Sequence, residues 1–148
     1  MVKFNMQQAV DFSAVQELIN EWARDLDMHE GLHVADLVTQ DCSYTVRNAP
    51  LRGRAAVDKF YRDRLTRLSA QPEGVPTQRH MISNLCVRFH NANEVSTTFS
   101  LIYFSTASGS DRPDPAAAAD VRMDCRREDD EHWRIASFDS NQIFRRVP

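Results

Sequence analysis

Apolar residues in the first part of the chain recur at helical spacing. Val15, Leu18, Ile19, Trp22 and Leu26 fall on one face, and Gln16, Glu17, Asn20, Glu21 and Arg24 on the other. Ser13 followed by Gln16 is a capping-box pattern that opens this helix, which is expected to end near Asp27, with residues 1–12 as an arm. A shorter helix is expected over residues 29–38. A short strand over 43–47 follows, closed by the turn Asn48-Ala49-Pro50. Gly53 precedes a third helix, residues 54–68, whose apolar face is Val57, Phe60, Tyr61 and Leu65. From Thr77 the period changes to two. Strands are expected over 77–89, 94–105, 117–128 and 132–143, rich in Val, Thr, Phe and Tyr. The Ser/Gly/Pro/Asp-rich stretch 106–115 reads as a loop placed to cover a pocket mouth.

On the strand over 77–89, His80, Ile82 and Asn84 share one parity, while Met81, Ser83 and Leu85 share the other. Neither face is purely polar, which predicts protein cover on both sides and a homo-oligomer, dimer or trimer, through the outer one. Helices first and long antiparallel strands afterwards indicate an α+β domain, with helices packed on one face of a curved sheet. Such a cone leaves a cavity open at one end, a common place for a small molecule.

The chain has 148 residues, enough for one domain with one core, spanning residues 1–148. Its net charge of -3 and scattered basic residues give no electrostatic footprint for nucleic acid. No apolar run reaches membrane-spanning length and no leader pattern opens the chain. Cys42, Cys86 and Cys125 are odd in number and widely spaced, as expected of reduced thiols in a cytoplasmic protein. His29 and His33, four apart with Asp25 and Asp36 nearby, are compatible with a metal but lack a third ligand at fixed spacing. A solvated face is the simpler reading.

His80 reads in two ways: a hydrogen-bonded core histidine, or a general base held in a cavity, since imidazole titrates nearest neutrality. The chain resembles the SnoaL-like group of the nuclear transport factor two-like superfamily. The resemblance rests on the helix from Val15 to Trp22 running into Leu26-Asp27, on Leu37-Val38-Thr39-Gln40-Asp41, and on Leu51-Arg52-Gly53-Arg54-Ala55-Ala56-Val57. His80-Met81-Ile82-Ser83-Asn84 and Trp133-Arg134-Ile135 complete it. Within that superfamily it is most similar to the branch of scytalone dehydratase, bile-acid dehydratase and hexachlorocyclohexane dehydrochlorinase. The resemblance implies a cystatin-like cone around three N-terminal helices and a catalytic pair, Asp27 after the first helix and His80 early on the first long strand. A carboxylate on one imidazole nitrogen would fix the tautomer and aim the other nitrogen. Asp25 lies nearer the apolar face than Asp27, and Asp27 is expected to reach the cavity only if the helix ends at or before it.

Other positions depart from the pattern. Trp22 stands where relatives carry a substrate-contacting tyrosine or a lysine, and Phe138 falls near an arginine of the dehydrochlorinase. Loss of both cations argues against assisted chloride departure. Tyr44 matches a tyrosine that polarises a substrate carbonyl, or else it is core packing. Arg122 falls near a polar substrate-binding position, or else it faces solvent. The resemblance therefore implies a cofactor-independent lyase or isomerase for a small apolar cyclic or polyketide-like molecule. Asp27, His80 and Tyr44 would be catalytic, and Trp22, Phe60, Ile82, Tyr103, Arg122 and Phe138 would bind substrate. The alternative is a non-catalytic ligand-binding or assembly module resembling the small subunit of ring-hydroxylating dioxygenases. A third possibility is a cyclase in which His80 only positions.

Overall fold

The computed structural model describes residues 3–46, 48–106 and 115–145. The expected loop over 106–115 falls almost wholly outside the described residues. Helix α1 spans Met6–His29, α2 Val34–Leu37 and α3 Arg54–Ser69. The strands are β1 Val38–Val46, β2 Ala49–Arg52, β3 Gln78–Phe89, β4 Glu94–Ser105, β5 Ala117–Arg127 and β6 Trp133–Arg145. They form one curved, unclosed six-stranded sheet in the order β2-β1-β6-β5-β4-β3. Every pair is antiparallel except β1 with β6, which run parallel.

Helix α1 begins eight residues earlier than the Ser13 pattern predicts, so most of the expected arm is helix. Asn5 is the actual cap: its side chain accepts from the Gln8 amide while the Gln8 side chain accepts from the Asn5 amide. Tertiary contacts hold this first part down. Phe4 sits between the rings of Phe12 and Phe89, and buried Asp11 pairs with Arg127 at 3.2 Å. At the other end α1 passes Asp27 and stops at His29, because Glu30 and Gly31 both adopt left-handed backbone (φ 58° and 84°). That turn occupies residues 30–33 and leaves α2 only four residues of the expected ten.

The short first strand is longer than its local sequence suggests, and β2 was not anticipated because it contains Pro50. As an end strand of the sheet it tolerates a residue with no N–H to donate.

The register between β3 and β4 shifts between Ser83 and Cys86, with Asn84 at φ 56°. This bulge changes the parity of the strand. Leu85, Val87 and Phe89 join Ile82 against the core, and the outer face of β3 reads Arg79, Met81, Ser83, Cys86 and Arg88. The two mixed faces expected from strict alternation are therefore one mainly apolar face and one mainly polar face, spliced at a bulge.

The core lies between α1, α3 and the inner face of the sheet. It gathers Val15, Leu18, Ile19 and Trp22 with Tyr44, Val57, Phe99, Val121, Met123, Ile135 and Phe138.

Candidate functional site

Asp27 and His80 meet where α1 covers the free edge of β3. Nδ1 of His80 lies 2.6 Å from Oδ1 of Asp27, and the His80 backbone N–H donates to Oδ2 at 3.0 Å. Because β3 ends the sheet, alternate amides along it lack a neighbouring strand, and Asp27 satisfies that of His80. An ionised carboxylate can only accept, so the neutral imidazole carries its proton on Nδ1 and keeps a lone pair on Nε2. Nε2 makes no hydrogen bond among the described residues, yet the His80 and Asp27 side chains are only 13% and 11% exposed.

Asp27 reaches this position from within the helix, contrary to the expectation that α1 must end first. Five residues separate it from Trp22, about 140° of rotation on an ideal helix. The sheet curves around α1, so Trp22 can face Phe138 while Asp27, on the flank, meets the edge strand.

Around the imidazole stand aromatic walls. The Tyr103 ring is 4.9 Å from that of His80 and the Trp22 ring 6.1 Å. Ile82 follows on the same face of β3 and packs partly buried against the core. Phe138 lies behind Trp22 at 5.3 Å and stacks on Tyr44 at 4.5 Å. Phe60 is half-buried and packs edge-on against Tyr61, on the α3 side.

The Tyr44 hydroxyl accepts from Trp22 Nε1 at 2.8 Å and shares a second bond with Tyr61 at 2.8 Å. Burial, together with the neighbouring Tyr61, pushes its pKa well above the ordinary phenol range, and burial pushes that of Tyr61 up to about 12. Both therefore stay protonated at neutral pH, and Tyr44 spends its oxygen on holding the Trp22 indole in place.

Asp25, the rival carboxylate, also binds a histidine. Its Oδ1 lies 2.8 Å from His33 Nδ1 and its Oδ2 accepts the His33 amide at 2.9 Å, the same two-point grip that Asp27 has on His80. Exposure separates the two pairs: the His33 side chain is 63% exposed. His29 stands edge-on to His33 at 5.2 Å, and no metal-binding group of three or more His, Cys, Asp or Glu occurs among the described residues.

Arg122 is on the opposite face of the sheet from the dyad. It pairs with Asp124 at 3.3 Å and is 63% exposed. It lines two adjoining open cavities of about 420 and 560 Å³, which share Thr98 and Arg122 and border neither Asp27 nor His80. Between the two placements left open for it, the structure selects the outward one.

The model of the SnoaL-like domain matches residues 7–139. The chain belongs to this family. No curated protein matches it. Among solved structures, this SnoaL-like chain is similar to a candidate scytalone dehydratase from Novosphingobium aromaticivorans, at 19% identity and a TM-score of 0.76 over 93% of this chain and 87% of that one. A hexachlorocyclohexane dehydrochlorinase (type 2) superposes at 14% identity and a TM-score of 0.74, over 94% and 89%. A protein from Catenulispora acidiphila in complex with S-DNPA superposes at 20% identity and 0.72, over 90% and 94%. These likenesses establish the cone-shaped fold. In addition, no helix among the described residues is long and apolar enough to cross a membrane.

Sequence reading missed a group of polar residues beside the dyad: Gln78, Glu30 and Arg64. For Gln78 there was a signal, since it lies two positions before His80 and shares its parity. Arg64 and Glu30 carried none, because each reads locally as a solvated charge on a helix or turn.

Proposed function

We propose that this chain is a cofactor-independent lyase or isomerase that moves a proton on a small, mostly apolar cyclic or polyketide-like molecule. The observation that carries the reading is the sheltered imidazole, with Nδ1 bonded to a carboxylate and Nε2 without a hydrogen bond among the described residues. Nε2 takes a proton from a carbon beside an activating group, and Asp27 stabilises the imidazolium that forms. The same proton then goes to a departing hydroxyl, which leaves as water, or to another carbon of the same molecule. Trp22, Tyr103 and Ile82 form the apolar surroundings, with Phe138 behind them. Tyr44 acts in this reading by fixing Trp22, since both of its hydrogen bonds are made within the protein. Such acid–base help typically contributes about 10²–10⁴-fold.

A thermal-shift screen with cyclic ketones and hydroxyketones, run on the natural protein and on His80→Ala, tests this. Ligands that stabilise the natural protein are expected to lose most of that effect in the variant. Stabilisation that is identical in both proteins would count against any part for His80.

A second reading is favoured by the centre of the cone. Trp22 and Phe138 are 2% and 6% exposed and occupy it together with Tyr44, while the two open cavities lie outside. In that reading the domain is a non-catalytic ligand-binding or assembly module. The same screen separates them, because an assembly module with a filled interior is stabilised by no ring ketone, and a non-catalytic binding module is stabilised equally with and without the His80 imidazole.

We further infer a homo-oligomer through the outer face. Met81, Ile102, Ala118 and Phe144 are consecutive register partners across β3, β4, β5 and β6, which gives a largely exposed apolar row. Sedimentation is expected to find a dimer or trimer that Phe144→Asp dissociates. A monomer at tens of micromolar removes the inference.

A further inference from the structure

The buried side chain of Gln78 has every hydrogen-bonding position filled. Its Oε1 accepts from Arg64 Nη2 at 3.0 Å and from the Tyr103 hydroxyl at 3.2 Å. Its Nε2 donates to the Leu26 carbonyl and to Glu30 Oε2 at 3.2 Å. The orientation of the amide follows from chemistry: a guanidinium only donates and a backbone carbonyl only accepts, so the oxygen must face Arg64 and the nitrogen Leu26. Arg64 Nη1 closes the triangle on Glu30 Oε2 at 3.2 Å.

What these bonds connect matters more than their number. Leu26 immediately precedes Asp27, and its carbonyl needs an outside partner because the left-handed turn at Glu30 and Gly31 directs both of their amides to Asp25 O instead. Gln78 supplies that partner, and it lies two residues before His80 on the same face of β3. Tyr103, held by its hydroxyl, carries the ring that rests against the imidazole. One amide thus ties the backbone next to the base's carboxylate, the strand that carries the base and the ring beside the base.

We propose that Gln78, braced by the Arg64–Glu30 pair, is the positioning residue of the Asp27–His80 dyad. It holds the two at hydrogen-bonding distance and keeps the Nδ1–H tautomer in place. This inference rests on the proposed proton-transfer reading for its purpose, but not for its geometry. It does not require that Gln78 touch a substrate. If the end of α1 slides relative to β3, Asp27 and His80 separate although both remain present. A misplacement of about 1 Å in a catalytic group can lower turnover by about 10²-fold.

The test is proton NMR of the full chain without ligand, with ¹⁵N-labelled histidine, on the natural protein, Gln78→Leu and Tyr103→Phe. In the natural protein the His80 Nδ1 proton is expected far downfield and slow to exchange. In Gln78→Leu its exchange with water is expected to be about five- to tenfold faster, roughly what loss of a hydrogen bond's net restraint allows. Tyr103→Phe, which removes one hydroxyl and is the safer variant to fold, is expected to fall between. If Gln78→Leu does not fold, Tyr103→Phe together with Arg64→Met carries the same reading. A part in stability alone would lower the unfolding midpoint and leave the His80 resonances where they were. Folded variants with unchanged exchange and ¹⁵N shifts overturn the proposal and leave the dyad's chemistry untouched. Accelerated exchange in a protein that turns over no carbon acid supports the positioning of His80 by Gln78 and overturns the reaction instead.

Discussion

Asp27→Asn is expected to lower turnover by about 10²–10⁴-fold while the protein remains folded. The reason lies in the number of acceptors. Asp27 offers one oxygen to the His80 backbone N–H and the other to Nδ1–H. Asparagine has one oxygen and one NH₂ group, so it can serve only one of these donors. If the oxygen stays on the backbone amide, the NH₂ faces Nδ1 and forces the proton onto Nε2. The free tip of the imidazole then becomes a donor where a base is required. If the oxygen stays on Nδ1, the NH₂ opposes the backbone N–H and the edge of β3 loses its partner. Activity on a ketone that emerges from the thermal-shift screen, read alongside the ¹⁵N shifts of His80, checks both branches. An Asn variant with undiminished kcat and an unaltered tautomer would remove Asp27 from the mechanism. His80→Ala should lose at least as much activity, since no other described group presents a comparably sheltered base at that point.

Gly31→Ala is expected to be the most damaging glycine-to-alanine change among the described residues. The backbone there is left-handed at φ 84°, and a Cβ would lie 2.3 Å from the Tyr61 ring. The left-handed conformation costs an alanine about 1–2 kcal/mol, and forcing an extra methyl into a packed site about 1–3 kcal/mol more. Tyr61 cannot yield freely, because its hydroxyl continues the chain through Tyr44 to Trp22. Gly74 provides the control: its φ is 71° but a Cβ would meet nothing within 4 Å. Denaturant unfolding of Gly31→Ala and Gly74→Ala side by side therefore separates the packing contribution from the backbone contribution. Equal losses in the two variants would show that the Tyr61 contact carries no weight.

Much of the architecture was legible because local burial leaves local periodicity. The apolar stripe from Val15 to Leu26 placed α1 against the core, and alternation placed β3 to β6 within a few residues of their observed ends. The start of α1 was misplaced because Asn5 with Gln8 is as good a capping box as Ser13 with Gln16, and only the seating of Phe4 and Asp11 decides between them. β1 was cut short because its partner β6 lies far along the chain, where no local pattern records the pairing. The resemblance pointed to Asp27 and His80, but the condition attached to Asp27 was too strict. It assumed a single inward face on a helix that the sheet in fact encloses on its flank as well.

By itself, then, the sequence determined the order of the helices and long strands, the buried faces of α1 and α3, and the residue types able to do acid–base chemistry. The tertiary structure decided which carboxylate meets which histidine. It gave Asp25 to an exposed imidazole and Asp27 to a sheltered one, turned Arg122 outward, and brought Gln78, Glu30 and Arg64 to the end of α1. The physical reason is that periodicity records how each segment divides between core and solvent. Contacts between distant side chains depend instead on how strongly the sheet bends, and that is set at register shifts such as the one beside Asn84.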